Sequence, residues 1–265
     1  MEDHIMKLGM CAGLGDFERI KAAKAAGFDY IETGFSSFAN ASDTDREAFL
    51  ACLKENDIKC EAMNGFISLK VVGDEYNEEA VKDYISRAFE ACSKYTDFAV
   101  VVFGSGAARR VPEGFDMNTA IEQFSHVCRE FVEPACAKYG KLVAIENLNR
   151  GETNILNLDA DVNALVNKLS LPHIKTLTDN YHMALENESY DVIRTFGSNL
   201  AHAHIANPEG RLFPQPEDAH DYASFFDAIK STGYDGRISV EAGAPKNLPL
   251  DEAAKRCADF LRKFL

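Results

Sequence analysis

Five acidic or imidazole side chains in the second half of the chain share one setting, each lying in or closing a short apolar run. Glu146 ends LVAIE, Asp179 ends IKTLTD, His202 and His204 lie within LAHAHI, and Glu241 ends RISVE. Taken singly, a carboxylate in that place often caps the helix that follows, and a histidine in an apolar run is more often a hydrogen-bonded core residue than a ligand. Taken together they read differently. If the four runs are strands opening at one end, three carboxylates meet in a low-dielectric site and repel one another. A divalent cation relieves that repulsion. Glu146, Asp179, His204 and Glu241 form a mixed oxygen and nitrogen set suited to one Mn²⁺, Mg²⁺, Co²⁺ or Zn²⁺. Strand alternation puts residues 202 and 204 on one face. His204, nearer the C-terminal end, is assigned to the metal and His202 to an interior layer.

Such a set needs separate strands to position it, and the apolar periodicity supplies them. Strands are predicted at 7–13, 29–34, 59–66, 98–103, 142–146, 174–179, 200–205 and 237–241. Helices are predicted at 16–26, 43–56, 78–95, 118–139, 159–169, 189–196, 221–231 and 251–264. Asp16 is the expected N-cap of the first helix and Gly27 its C-terminal glycine, and Pro134 predicts a kink. Runs such as AVVVF and LVAI are apolar throughout, as parallel strands covered on both faces should be. Eight alternations of roughly 33 residues fit an α/β fold, a (β/α)8 TIM barrel forming a single domain over residues 1–265. A doubly wound sheet fits less well, because no G-x-G-x-x-G follows the first strand. In the barrel, all eight C-terminal strand ends face one mouth.

Composition narrows the partners. With 28 Lys+Arg against 42 Asp+Glu, the formal charge is −14, which repels phosphate and argues against nucleic acid. No run approaches the ~18 apolar residues of a membrane helix. The opening MEDHIMKLGM has no long apolar signal core, so a cytoplasmic protein without membrane contact is expected. Seven cysteines, an odd number with no C-x-x-C pair, read as reduced core thiols.

The segments AIENLNRGETN, DNYHM, HAHIAN and ISVEAG resemble the xylose isomerase-like TIM-barrel superfamily of sugar isomerases and epimerases, and within it the ketose 3-epimerases. FDYIETGF, AMNGF and FGSGAARRVPEG agree with that resemblance. It implies that Glu146 and Glu241 act as acid and base besides binding the metal. It also implies that Glu152, His182 and Arg211 contact substrate, and Asn64 in AMNGF joins them. The implied chemistry is proton transfer at a carbon beside a carbonyl. The cation acts as Lewis acid on an enediolate, one glutamate removes the proton and the other returns one.

Arg109 and Arg110, in the glycine-rich loop after strand four, are candidate ligands for a substrate phosphate or carboxylate, with two solvated surface arginines as the plain alternative. The epimerases resembled here set tryptophans against the sugar, and this chain has none. Phe66, Phe103 and Tyr181 could serve as apolar walls, although barrel packing is the favoured reading. The expected partner is a sugar or sugar phosphate, with a homo-oligomer as the assembly. An inosose dehydratase-like lyase on the same metal is the alternative activity, and an endonuclease four-like hydrolase is disfavoured by the charge.

Overall fold

Alternation within the strands decides where the core lies. In strand β4 (Val100–Phe103), Val100 and Val102 point into the barrel while Val101 and Phe103 point outward to the helices, and all four are buried. The computed structural model describes residues 6–265. In it, β1 (Lys7–Cys11), β2 (Tyr30–Gly34), β3 (Lys59–Asn64), β4, β5 (Leu142–Glu146), β6 (Ile174–Asp179), β7 (Leu200–Ile205) and β8 (Arg237–Val240) run parallel and close, β8 returning to β1. This is a (β/α)8 TIM barrel. The first five residues of the N-terminal stretch read for a signal core lie outside the described residues.

The helices are α1 (Phe17–Ala26), α2 (Phe35–Asn40), α3 (Asp43–Glu55), α4 (Glu78–Tyr95), α5 (Gly106–Arg109), α6 (Met117–Val127), α7 (Glu133–Tyr139), α8 (Asp159–Leu169), α9 (Asn180–Leu185), α10 (Tyr222–Ser231) and α11 (Leu250–Leu261). Gly27 takes the left-handed conformation at φ 89°, as its place after α1 requires. Asp16 precedes that helix but its side chain makes no capping bond, a correction to the expected cap. The predicted helix 118–139 is interrupted by a π-helical turn at Cys128–Val132. Its wider loop absorbs the backbone hydrogen bond that Pro134 cannot donate. The stretch read as helix at 189–196 is a 3₁₀ turn at Tyr190–Thr195. The short helices α2, α5 and α9, at strand ends on the mouth side, were not anticipated.

The barrel interior holds a small core of Tyr30, Ala62, Val100, Val102, Ala144 and Leu177. The much larger apolar layer lies between sheet and helices. Residue size is tightly matched inside. Tyr30 and Ser239 both pair with Gly9, from either side of β1. The Tyr30 ring crosses over Gly9, and its hydroxyl reaches Ser239 Oγ at 2.7 Å. A Cβ at position 9 would lie 2.2 Å from Tyr30 Cζ. Register slips by one residue between β2 and β3, where Ile31 pairs with Cys60 but Glu32 with Ala62, leaving Glu61 as the extra residue. Among the described residues, no helix is long and apolar enough to cross a membrane.

Candidate metal centre and active site

Each of the four late strands delivers one side chain to the C-terminal mouth. Glu146 is the last residue of β5, Asp179 the last of β6, His204 the fifth of β7, and Glu241 the first residue after β8. They come together: one ligand atom from each lies within 4.8 Å of the others. His204 Nδ1 is 3.0 Å from Glu146 Oε1 and 3.3 Å from Glu241 Oε2. Asp179 caps the helix that follows while remaining within this cluster. Its Oδ1 accepts from Tyr181 N at 2.8 Å and caps α9, while Oδ2 lies 3.5 Å from His182 Nε2 and 3.6 Å from Arg211 Nη2.

Around these four residues lie side chains from loops and from α9. Arg211, held at a left-handed φ of 52°, stacks its guanidinium 4.6 Å from the Tyr181 ring centre. It donates to Glu241 Oε2 through Nη2 and to Glu152 Oε1 through Nη1 at 3.3 Å. Asn149 links Glu152 to His182: its side-chain amide donates to Glu152 Oε1 at 3.1 Å and lies 2.9 Å from His182 Nδ1. Its backbone N–H also donates to that nitrogen at 3.2 Å. His182 Nδ1 is therefore an acceptor and Nε2 carries the proton. Among the described residues that Nε2 is buried without a hydrogen-bond partner, as are both polar atoms of the Asn147 side chain. Buried polar groups are normally satisfied, so an orphaned donor beside four converging ligands fits a site built for a bound group. Asn64 Nδ2 lies 3.5 Å from Glu241 Oε1. Asn64, Arg211 and Glu241 line a cavity of about 440 Å³ together with Cys11 and Arg19.

Burial and neighbouring charge set the protonation pattern of these side chains. Burial would depress the His204 pKa, but Glu32, Glu241 and the bond to Glu146 hold it well above the ordinary value. Burial pushes Glu146 up, and this outweighs its bond to His204. Burial acts on Glu241 in the same sense, yet His204 and Arg211 pull its carboxyl down to about 2. The two glutamates thus sit in environments that separate their titrations, as an acid and base pair requires.

Two arginines read from the sequence separate. Arg109 does not stand at the mouth. It is wholly buried, donating from Nη2 to the carbonyl of Glu146 at 2.6 Å and from Nη1 to that of Phe103 at 3.4 Å. Burial lowers its pKa to about 10 despite nearby Glu146. The short helix α5 folds the side chain under β5, so it supports the strand end and is neither a phosphate ligand nor a solvated surface residue. Arg110 is exposed and donates to Gly151 O at 3.1 Å. Phe66 and Phe103 are also packing residues, their rings 4.6 Å apart, with Phe124 4.9 Å from Phe103.

Sequence reading passed over three features. Glu32 lies under His204 and bonds both strand-seven histidines. Arg19 donates to Ala242 O and stacks 4.8 Å from the Phe213 ring centre. Gly104, just past β4, has to be glycine: a Cβ there would sit 2.1 Å from Glu146 Oε2. A glycine directly after the apolar run VVVF was a readable signal for close approach at the strand end.

A family model described as xylose isomerase-like TIM barrel matches residues 20–264. A ketose 3-epimerase from Arthrobacter globiformis is 26% identical over 251 residues, covering 89% of this chain and 83% of that protein. A D-psicose 3-epimerase from Agrobacterium fabrum is 27% identical over 198 residues, covering 72% and 67%. Among solved structures, D-psicose 3-epimerase with D-tagatose from Clostridium cellulolyticum H10 superposes with a TM-score of 0.82 at 21% identity over 98% of this chain and 99% of that one. The apo form of 3-keto-D-glucoside 4-epimerase from E. coli gives 0.78 at 21% identity, covering 98% and 100%. These two likenesses concern the fold. The sequence relatives are named as sugar epimerases, which are isomerases.

Proposed function

The chain belongs to the xylose isomerase-like TIM barrel family, and from that premise we propose that the protein is a metal-dependent sugar epimerase working by proton transfer at a carbon beside a carbonyl. The observation that carries this reading is the approach of Glu146, Asp179, His204 and Glu241 to within 4.8 Å of one another at the strand ends. These four would hold one divalent cation, Mn²⁺ being well suited to the donor set, and when bound it supplies Lewis-acid polarisation of the substrate carbonyl.

The remaining work falls to the chain's own groups. Glu146 and Glu241 leave strands three apart around the ring, so a small sugar between them meets a carboxyl on either face. One takes the proton from the carbon next to the carbonyl. The other returns a proton to the opposite face and inverts the centre. Delivery to the neighbouring carbon instead would give aldose–ketose isomerisation. Arg211 keeps its proton, since Glu241 and Asp179 outweigh its burial, and it orients Glu241 and Glu152. His182 Nε2–H and Glu152 offer a donor and an acceptor for sugar hydroxyls. Burial of Arg109 leaves Arg110 alone of the pair once read as an anion clamp, which favours an unphosphorylated sugar.

The test is incubation of metal-reconstituted protein with ketoses, sugar phosphates and inososes in D₂O. An epimer carrying deuterium at the inverted carbon is expected from a ketose. Absence of carbon-bound deuterium from every substrate would sink the reading, and a dehydrated product from an inosose would replace it with a lyase.

A further inference from the structure

We propose that Glu32, on β2, is the positioning residue of the metal centre, locking His204 so that Nδ1 presents its lone pair to the cation. This rests on the reading of Glu146, Asp179, His204 and Glu241 as ligands.

A neutral imidazole has one donor nitrogen and one acceptor nitrogen, and the partner of one decides the chemistry of the other. His204 Nδ1 faces Glu146 and Glu241, at 3.0 and 3.3 Å. His204 Nε2 lies 2.8 Å from Glu32 Oε1. An ionised carboxylate only accepts, so Nε2 carries the hydrogen and Nδ1 is left for the metal. The histidine thereby joins a carboxylate–histidine–metal relay.

Glu32 can hold that place because its own position is fixed from three sides. Its Oε2 accepts from His202 Nε2 at 2.7 Å and from Ser239 Oγ at 2.6 Å. Ser239 Oγ in turn accepts from the Tyr30 hydroxyl at 2.7 Å. Glu32, His202, His204 and Ser239 are all fully buried. An isolated carboxylate would be very costly there, whereas one with three donors is tolerated. The residue thus ties β2, β7 and β8 together beneath the ligands, at the wall of the cavity that Cys11, Asn64 and Glu241 also line.

A competing use of the same atoms exists. Cys11, Glu32 and His204 also offer ligand atoms within 4.8 Å of one another. A cation held there would compete for Glu32 and His204, the two residues our assignment joins by a hydrogen bond. The proposal therefore requires one cation per chain and a His204 bound through Nδ1.

The experiment uses the full chain, stripped of metal and titrated with Mn²⁺ by calorimetry, for wild type, Glu32→Gln and Glu32→Ala. Gln keeps an acceptor for His204 and should weaken Mn²⁺ binding about tenfold; Ala removes the acceptor and should weaken it about a hundredfold. Loaded with Co²⁺, Glu32→Ala should show an altered visible absorption spectrum, a change that lost packing elsewhere would not produce. Unchanged Mn²⁺ affinity in both variants, with only the metal-free melting temperature lowered, would make Glu32 a purely structural residue and overturn the proposal. A wild type binding two Mn²⁺ per chain, one of them lost in Cys11→Ser, would overturn it in favour of the Cys11 site. If the variants fail to fold, long-range ¹⁵N NMR of Zn²⁺-loaded wild type decides: a His204 pattern with Nε2–H supports the proposal and an Nε2-bound pattern refutes it. A wild type that binds no divalent cation would instead remove the metal reading on which this rests.

Discussion

At the N-terminal mouth, Glu61 meets Lys7 Nζ at 2.8–2.9 Å and Arg237 at 2.6–2.8 Å, and the Tyr234 hydroxyl donates to the Ala201 and Arg237 carbonyls. At the C-terminal mouth, Glu146, Asp179 and Glu241 crowd together with Arg211 and His204 between them, and His182 Nε2 finds no partner. The same strands, read from their two ends, thus carry charge that is internally paired below and three crowded carboxylates above. The lesson is physical: one end spends its ionic groups on holding the ring closed, while the other gathers like charges at the strand ends where barrels of this kind place their chemistry.

The sharpest way to break this contrast is substitution above. Glu146→Gln or Glu241→Gln should lower kcat by about 10³-fold, the scale of general acid–base catalysis, in an epimerisation assay on folded protein. Glu146→Gln should also raise the metal-free melting temperature. Burial raises the Glu146 pKa in the folded state, so above the ordinary glutamate value the folded chain holds more protons than the unfolded one, and stability falls as pH rises. Removing that titration should stabilise the folded chain at neutral pH, read by calorimetric unfolding.

Below, the expectation reverses. Glu61→Ala should cost about 1–3 kcal/mol in denaturant unfolding, because two cations lose a partly buried acceptor, with kcat within about twofold of wild type. A large loss of activity there would dissolve the distinction between the two ends. The smallest effect is a pH dependence. Burial would raise the Glu61 pKa, but Lys7 and Arg237 hold it below the ordinary value. Its stabilising contribution is present above about pH 4.3 and fades as pH falls through the lowered value. Wild type should therefore lose stability over that acid range more steeply than Glu61→Ala.

The barrel was legible because its signal is repeated: buried parallel strands announce themselves as apolar runs, and eight of them between amphipathic stretches leave few topologies. The convergence of Glu146, Asp179, His204 and Glu241 was legible because each is a polar residue at or near the end of such a run. Glu32 carries no such mark. It lies inside YIETG, and its partners His202, His204 and Ser239 are 170, 172 and 207 residues away, so only closure of the ring reveals them. Arg109 was misplaced for the opposite reason. A glycine-rich loop suggests exposure, whereas α5 turns this residue inward to the Glu146 carbonyl.

The Tyr30 ring laid over Gly9 has a consequence for inheritance. Any side chain at position 9 displaces the ring, and the ring's hydroxyl is the third link in a chain through Ser239 and Glu32 to His204. Gly9 touches no ligand, yet a side chain there forces Tyr30 to move or to shrink, and either change breaks the link to Ser239. Among related barrels, a larger residue at position 9 should accompany a smaller one at position 30, and the two sites should drift as a single unit.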